Sequence, residues 1–312
     1  MKISLITTIF NEEKSIKEFL AGLSGLSLMP DEVIIVDGGS TDQTLAKIAE
    51  FRDDTKLPFD FIIATKKGNR SVGRNEGVRI AKGEIIAFTD AGCILDKDWL
   101  KEITKPFADR SVDVAAGYYA ARAETIFQKC LVPYVLVMPD KVNPDSFLPA
   151  TRSMAIRKSV FEKMGGFDPK YSHNEDYVFA RKLRFEGRTI VFAPKAIVNW
   201  IPRRTLKEAY TMFWRFAYGD IEAGILRPKV LLIFTRYVLG IILVITFLLT
   251  LNFYILIMLI LGLVGYAIWA VQKNYLYVKN RQAIYVLPLI QFTADAAVLM
   301  GSTQGVIKRY GI

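Results

Sequence analysis

The chain has 312 residues, carries 41 Lys and Arg against 31 Asp and Glu for a formal net charge of +10, and contains two cysteines. That length can bury the core of one large domain or two smaller ones. Cys93 and Cys130 lie far apart without a Cys-X-X-Cys spacing, which excludes a disulfide framework and a structural zinc site and fits a reducing compartment. The positive balance predicts anionic partners, with nucleotide phosphates and an anionic membrane leaflet the plainest. No RNA- or DNA-binding motif accompanies it, so no nucleic-acid partner is expected.

Met1-Lys2 leads into an apolar run with Glu12 and Glu13 close behind, so a signal peptide is not expected. Short apolar runs then alternate with helical patterns. Strands are predicted at Ile3–Ile9, Glu32–Asp37, Phe59–Ala64 and Glu84–Asp90, and helices near Glu13–Leu20, Thr41–Phe51 and Arg70–Ala81. Such alternation predicts a parallel sheet covered by helices on both faces, with ligands at the carboxyl ends of its strands. Thr7, Thr8 and Asn11 follow the first strand, Asp37 ends the second and Asp90 the fourth, so polar groups converge on one edge. The stretch Asp37-Gly38-Gly39-Ser40-Thr41-Asp42 is the most telling. Its acid can accept hydrogen bonds from a base or sugar, its glycines admit a ligand to the backbone, and Ser40 or Thr41 can cap the next helix.

Further on, Trp99 opens a short helix, and Asp96 and Asp98 read as the acids at its start. Strands are predicted at Val112–Ala120, Ser153–Arg157, Thr189–Ala193 and Ala196–Trp200, with a helix over Glu175–Phe185. Leu131–Asn143 reads as irregular, interrupted by Pro133 and Pro139. A basic and aromatic segment from Pro202 to Lys229 predicts an interfacial helix. From Tyr237 to Gln272 no residue is charged, long enough for two membrane spans of about 18–20 residues each, with Asn252 marking the turn.

The motifs that carry chemistry come in the order Thr7-Thr8-Ile9-Phe10-Asn11-Glu12, Asp37 to Asp42, Gly73-Arg74-Asn75-Glu76-Gly77, Thr89-Asp90-Ala91-Gly92, Gly165-Gly166-Phe167-Asp168 and Asn174-Glu175-Asp176. Over about residues 1–200 this series resembles the family 2 glycosyltransferases. The resemblance implies an α/β GT-A fold, Rossmann-like with a mostly parallel sheet, and a nucleotide-diphosphate sugar as donor. On that basis Thr8, Glu12 and Asp37 hold the base and ribose, with Asn11, Gly38, Gly39, Asn75, Asp90 and Ala91 in the same nucleotide-sugar site. Arg70 and Arg74 face the nucleotide or its diphosphate, where guanidinium forks suit phosphate oxygens.

Asp90 matches the first acid of the family's Asp-X-Asp metal signature, but Gly92 stands in place of the second. A divalent cation, Mg²⁺ or Mn²⁺, is still expected on Asp90, with phosphates and water completing its oxygen shell. His173, the single histidine, stands three residues before Asp176 and is a candidate extra metal ligand, equally readable as a solvated loop residue or a substrate hydrogen-bonder. Asp176 is the expected catalytic base, which takes the acceptor's proton as the anomeric carbon is attacked, and Glu175 is its competitor. One displacement inverts the anomeric centre. Trp200-Ile201-Pro202-Arg203-Arg204 does not form the Gln-X-X-Arg-Trp motif of processive synthases, so transfer of a single sugar is expected.

The chain is thus expected to divide into a catalytic domain at 1–205, an interfacial segment at 206–229 and a membrane domain at 230–312. The spans fall at about 231–251 and 253–272, and 283–307 forms an interfacial or re-entrant segment or, alternatively, a third span. Arg227, Lys229 and Arg236 before the hairpin, and Lys273, Lys279 and Arg281 after it, place both ends and the catalytic domain on the cytoplasmic face of the cell (inner) membrane. The expected acceptor is a lipid or lipid-linked saccharide. The rivals are a polyprenyl-phosphate glycosyltransferase, whose acceptor needs no base, and a non-catalytic nucleotide-sugar-binding scaffold.

Overall fold

A computed structural model describes residues 1–311. In chain order the elements are β1 (Ile3–Ile9), α1 (Ile16–Ser24), β2 (Glu32–Asp37), α2 (Thr44–Asp54), β3 (Asp60–Thr65), α3 (Arg70–Ile80), β4 (Ile85–Phe88), β5 (Cys93–Leu95), α4 (Trp99–Thr104), β6 (Val114–Ala121) and α5 (Ile126–Val135). They continue with β7 (Met154–Arg157), α6 (Lys158–Lys163), α7 (Glu175–Phe185), β8 (Ile190–Trp200), α8 (Leu206–Glu222), α9 (Pro228–Thr250), α10 (Phe253–Val278) and α11 (Ala283–Tyr310). Two compact units result: 1–122 with 138–201, and 123–137 with 202–312.

The first unit is built on one sheet in the order β3-β2-β1-β4-β7-β6-β8-β5. Its first four strands are parallel, as the strand–helix alternation predicts. Beyond β4 the sheet is mixed: β7 is antiparallel to both neighbours, β6 and β8 are parallel, and β5 is antiparallel to β8. Beneath β4 and β7, Phe88, Phe161, Phe167 and Phe179 pack together, with ring centroids 4.8–5.7 Å apart in the pairs that touch. These rings, with Ile6, Ile34, Met154 and Leu183, form the core under the strand ends that carry the acids.

Two glycines set how closely α3 lies on the sheet. A Cβ on Gly77 would come within 2.6 Å of Ile6 Cγ2, and one on Gly73 within 2.8 Å of Thr8 Cγ2. At the opposite end of the strands, the buried carboxylate of Glu32 accepts from Ser4 Oγ and from the backbone N–H groups of Lys82 and Gly83. It thereby pins the turn that feeds β4, a role the sequence reading did not anticipate.

Several boundaries differ from expectation. The second helix begins at Thr44 rather than Thr41, because Asp42 accepts from Thr44 N and Oγ1. Ser40 and Thr41 do not cap it; the Ser40 hydroxyl accepts from Asn11 N and Thr41 N donates to Asn11 Oδ1. The segment read as irregular from Leu131 is helical to Val135, since a Thr125–Gln128 capping box starts α5 upstream and Pro133 falls inside it. The last two predicted strands are one, β8, whose pairing with β6 shifts register at Gly117/Tyr118. The short strand β5 had no signal of its own.

In the second unit, α9, α10 and α11 are long and apolar enough to cross a membrane. Leu251, in the left-handed region at φ 47°, and Asn252, whose side chain accepts from Tyr254 N, make the turn between α9 and α10. α5 joins this unit through Gln128, whose amide donates to Pro202 O, and Tyr134, whose hydroxyl donates to Leu287 O. α11 runs unbroken through Pro288 and is the most buried of the three. It lies against α8 along Gly301 and Gly305, where a Cβ would meet Trp214 O at 2.5 Å and Ile221 Cβ at 2.8 Å. Lys308 and Arg309 at its end bond to Glu222 and to the Ile221 carbonyl.

The polar face that Gln291, Asp295 and Ser302 form on α11 is turned inward, and all three are buried. Asp295 accepts from Arg236 at 2.8 Å and Tyr237 at 3.1 Å on α9, from Tyr266 at 2.6 Å on α10, and from Gln291 at 3.0 Å. A charge among apolar helices is tolerable only with such partners.

Two outcomes are expected. Gly77→Val should lower the thermal midpoint by an amount equivalent to about 1–3 kcal/mol of overpacking, whereas Gly92→Ala, where a Cβ meets nothing within 4 Å, should not. In detergent, Asp295→Ala should lower the midpoint by leaving Arg236 without its carboxylate, and adding Arg236→Met should recover part of the loss.

Candidate active site

The carboxyl ends of β2 and β4, the first turn of α3 and the start of α7 supply the predicted site residues. Asp37, buried at the end of β2, accepts from Gly39 N at 3.0 Å and Ser40 N at 3.1 Å, which fixes the loop behind it. Gly39 sits at φ 103°, a backbone region that disfavours any other residue. Asn11, itself at φ 55°, ties this loop to the end of β1. Thr8 and Glu12 are half-buried, and the Glu12 carboxylate accepts from Ser15 Oγ.

Arg74 is only 2% exposed. Nη1 bonds Glu175 Oε1 at 2.5 Å, Nη2 bonds Asp90 Oδ1 at 2.9 Å, and the guanidinium lies 5.7 Å from the centre of the Phe167 ring. This arginine, expected to face the nucleotide or its diphosphate, is bonded in this structure to two carboxylates of the acidic cluster. Asn75 is committed likewise: its amide bonds both Phe167 O and Phe167 N and so braces the Gly165-Gly166 turn. Arg70 is exposed on the first turn of α3, within electrostatic reach of Asp90. Ala91 is buried.

The two aspartates are pushed in opposite directions. Burial raises the Asp90 pKa, but the guanidinium groups of Arg74, Arg152 and Arg70 outweigh it and hold the group below its ordinary value. For Asp176, burial and the neighbouring Glu175 charge raise the pKa, against weaker opposition from Arg74 and Arg152. Two carboxyls with separated pKa values are the usual mark of divided roles. Asp176 accepts from Tyr177 N at 2.8 Å and, at the long distance of 3.5 Å, from Thr151 Oγ1. Asn174, in the left-handed region at φ 59°, turns the chain into the helix at this point. Glu175 is ion-paired with Arg74 and 5% exposed. Burial pushes the pKa of the Cys93 thiol up to about 12.

His173 has its Nδ1 2.9 Å from Ser172 Oγ. Among the described residues, no three His, Cys, Asp or Glu side chains converge as a metal cluster. The sequence reading missed Arg152, which approaches Asp90 with Nε 3.7 Å from Oδ2, and the Tyr119 and Trp200 rings beside it. Nothing local marks Arg152 in the sequence; only the pairing of β6 with β8 brings the two rings together.

The sequence profile described as Glycosyl transferase family 2 matches residues 4–165, and that described as Glycosyl transferase family group 2 matches residues 85–284. The chain is 22% identical over 229 residues to the glycosyltransferase AglE of Haloferax volcanii, covering 72% of this chain and 74% of that protein. It is 25% identical over 227 residues to the O-antigen chain rhamnosyltransferase RfbN of Salmonella typhimurium, covering 69% and 71%. The mannosyltransferase PcManGT from Pyrobaculum calidifontis, solved with GDP-Man and Mn²⁺, shares the fold with a TM-score of 0.60 at 17% identity, over 98% of this chain and 87% of that one. A GT-A sheet, the acidic cluster at its edge and a matching profile over more than half the chain agree: this protein belongs to glycosyl transferase family 2 and is a sugar-transferring enzyme.

Proposed function

We propose that the enzyme transfers one sugar from a nucleotide-diphosphate sugar to a hydroxyl of a lipid or lipid-linked saccharide, with inversion, at the cytoplasmic face of the membrane. The observation that carries this reading is the division of labour between Asp90, held ionised by arginines, and Asp176, whose raised pKa suits a proton acceptor. The acceptor oxygen attacks the anomeric carbon, its proton passes to the Asp176 carboxylate, and the bond to the diphosphate breaks on the opposite side. Thr8, Glu12, Asp37, Gly38 and Gly39 hold the nucleoside end, and Arg70 reaches its phosphates. Arg74 acts as a brace that keeps Asp90 and Glu175 in place. The three apolar helices support a lipid acceptor, because the enzyme carries its own anchor to the surface where such an acceptor is found.

A divalent cation fits this site only if the donor phosphates provide most of its ligands. Asp90 is one carboxylate, already bonded to Arg74, and Gly92 offers no second acid. Asp90 would hold Mg²⁺ or Mn²⁺, with His173, whose Nδ1 lies 2.9 Å from Ser172 Oγ, as the candidate extra ligand through Nε2. Such an ion supplies positive charge to the departing phosphates.

The test is transfer by the detergent-purified chain from a panel of labelled nucleotide sugars to extracted lipids, with Mg²⁺, Mn²⁺ or EDTA. Label should enter the lipid fraction from one donor, and nucleotide binding without turnover would favour the scaffold instead. Asp176→Asn should lower kcat by about 10²–10⁴-fold, while near-normal transfer would point to a phosphate acceptor. Because the raised pKa means that ionising Asp176 costs the folded state stability as pH rises through it, the same variant should have an equal or higher thermal midpoint at pH 7. In the wild type, activity should fall as pH drops through a pKa above the ordinary aspartate value of 3.8. Loss of activity with a lowered midpoint would mean a structural role for Asp176.

A further inference from the structure

Arg152 stands in the turn that enters β7, and that turn is firmly built. Ser153 N donates to Ala150 O at 2.9 Å, and Ser153 Oγ accepts from Trp99 Nε1 at 2.9 Å and donates to Ala196 O at 3.1 Å. The guanidinium lies 5.4 Å from the ring centres of both Tyr119 on β6 and Trp200 on β8, and the side chain is 24% exposed. Its Nε is 3.7 Å from Asp90 Oδ2, an ion-pair distance too long for a hydrogen bond. Among the described residues, none of its N–H donors meets an acceptor within hydrogen-bonding distance.

Arg157, five residues on at the end of β7, shows what a structural arginine looks like. It donates to Val112 O at 2.8 Å, Asp109 O at 3.1 Å and Phe107 O at 3.3 Å. Arg152, 24% exposed, instead keeps its N–H donors open to water or to a ligand. The two rings attract its charge, and its N–H donors remain for the oxygen atoms of a ligand. Its charge and its place beside Asp90 suit the anionic oxygen atoms of a tetrahedral phosphate.

We propose that Arg152 binds the departing phosphate of the donor diphosphate, supplying positive charge beside Asp90 in a site that Gly92 leaves one acid short. This rests on the donor reading above. As the acceptor oxygen bonds to the anomeric carbon, the electron pair of the breaking bond moves onto the distal phosphate oxygen, and Arg152 donates N–H hydrogen bonds to that phosphate. No proton leaves the guanidinium; the acceptor's proton goes to Asp176. Stabilising charge that grows during bond breaking is where such a donor contributes most.

The test is calorimetric binding of UDP, GDP, dTDP, CDP and ADP, and of the matching monophosphates, to the full chain in detergent with EDTA. The wild type should bind one diphosphate more tightly than its monophosphate. Arg152→Gln should weaken that diphosphate by about 10- to 100-fold, the effect of losing charge-assisted hydrogen bonds, and leave the monophosphate within about threefold. Arg152→Lys, which keeps charge and bulk, should fall between. Diphosphate binding unchanged in Arg152→Gln overturns the inference alone and sends the guanidinium to a phosphate on the acceptor, seen as a raised acceptor KM. Equal losses for mono- and diphosphate, or in both variants a fallen thermal midpoint, overturn it in favour of a structural role. A wild type that binds none of these nucleotides overturns the donor reading and this inference together.

Discussion

The buried guanidinium of Arg74 is the contact on which the catalytic unit turns. It joins α3 to the end of β4 through Asp90 and to the first turn of α7 through Glu175, with bonds of 2.9 and 2.5 Å. Burying the charges of Arg74 and Glu175 gains little stability in itself, because desolvation offsets most of the attraction, and well-packed apolar groups often do as well. What the arrangement gives is placement. The charge of Glu175, anchored by Arg74, lies beside Asp176 and contributes to its raised pKa, while the same arginine helps hold Asp90 ionised. One cation thus sets two carboxyls apart.

That placement depends on how closely α3 approaches the sheet. Gly73 and Gly77 lie on either side of Arg74 in the sequence, and both face β1 with no room for a Cβ. A larger residue at either would lift the helix and withdraw the guanidinium from its carboxylates. Asn75, between them, ties the Gly165-Gly166 turn to the same helix, so the approach to α7 is fixed from α3 as well. The motif Gly73-Arg74-Asn75-Glu76-Gly77 is therefore largely a packing and bracing device.

This explains which features were legible in the sequence. The four parallel strands announce themselves as apolar runs separated by helical patterns, and the acids that end them mark the edge. Local order tells that Arg74 and Asp90 matter, but not that they bond each other across 16 positions, nor that Glu175 completes the group from 101 positions away. Arg152 is further from view. Its setting requires Tyr119 on β6 and Trp200 on β8, and those strands meet through a pairing that shifts register midway. Glu32 was hidden for a related reason: an acid at the amino end of a buried strand reads as solvated until the turn at Lys82 and Gly83 is brought to it.

The second unit meets a different constraint. Hydropathy locates α9, α10 and α11 but cannot say which faces meet, because lipid tails are as apolar as the side chains and favour no particular contact. Asp295 supplies the missing specificity. Its carboxylate has acceptable partners only when Arg236 and Tyr237 of α9 and Tyr266 of α10 converge on it. A rotation or a one-turn slip of any helix would strand a charge in an apolar setting, at a cost no apolar contact there could offset. The glycines at 301 and 305 then fix the fourth neighbour, α8, by close backbone approach rather than by charge. The apolar residues of these helices decide only that they can lie in a membrane; one carboxylate and two glycines decide how they assemble.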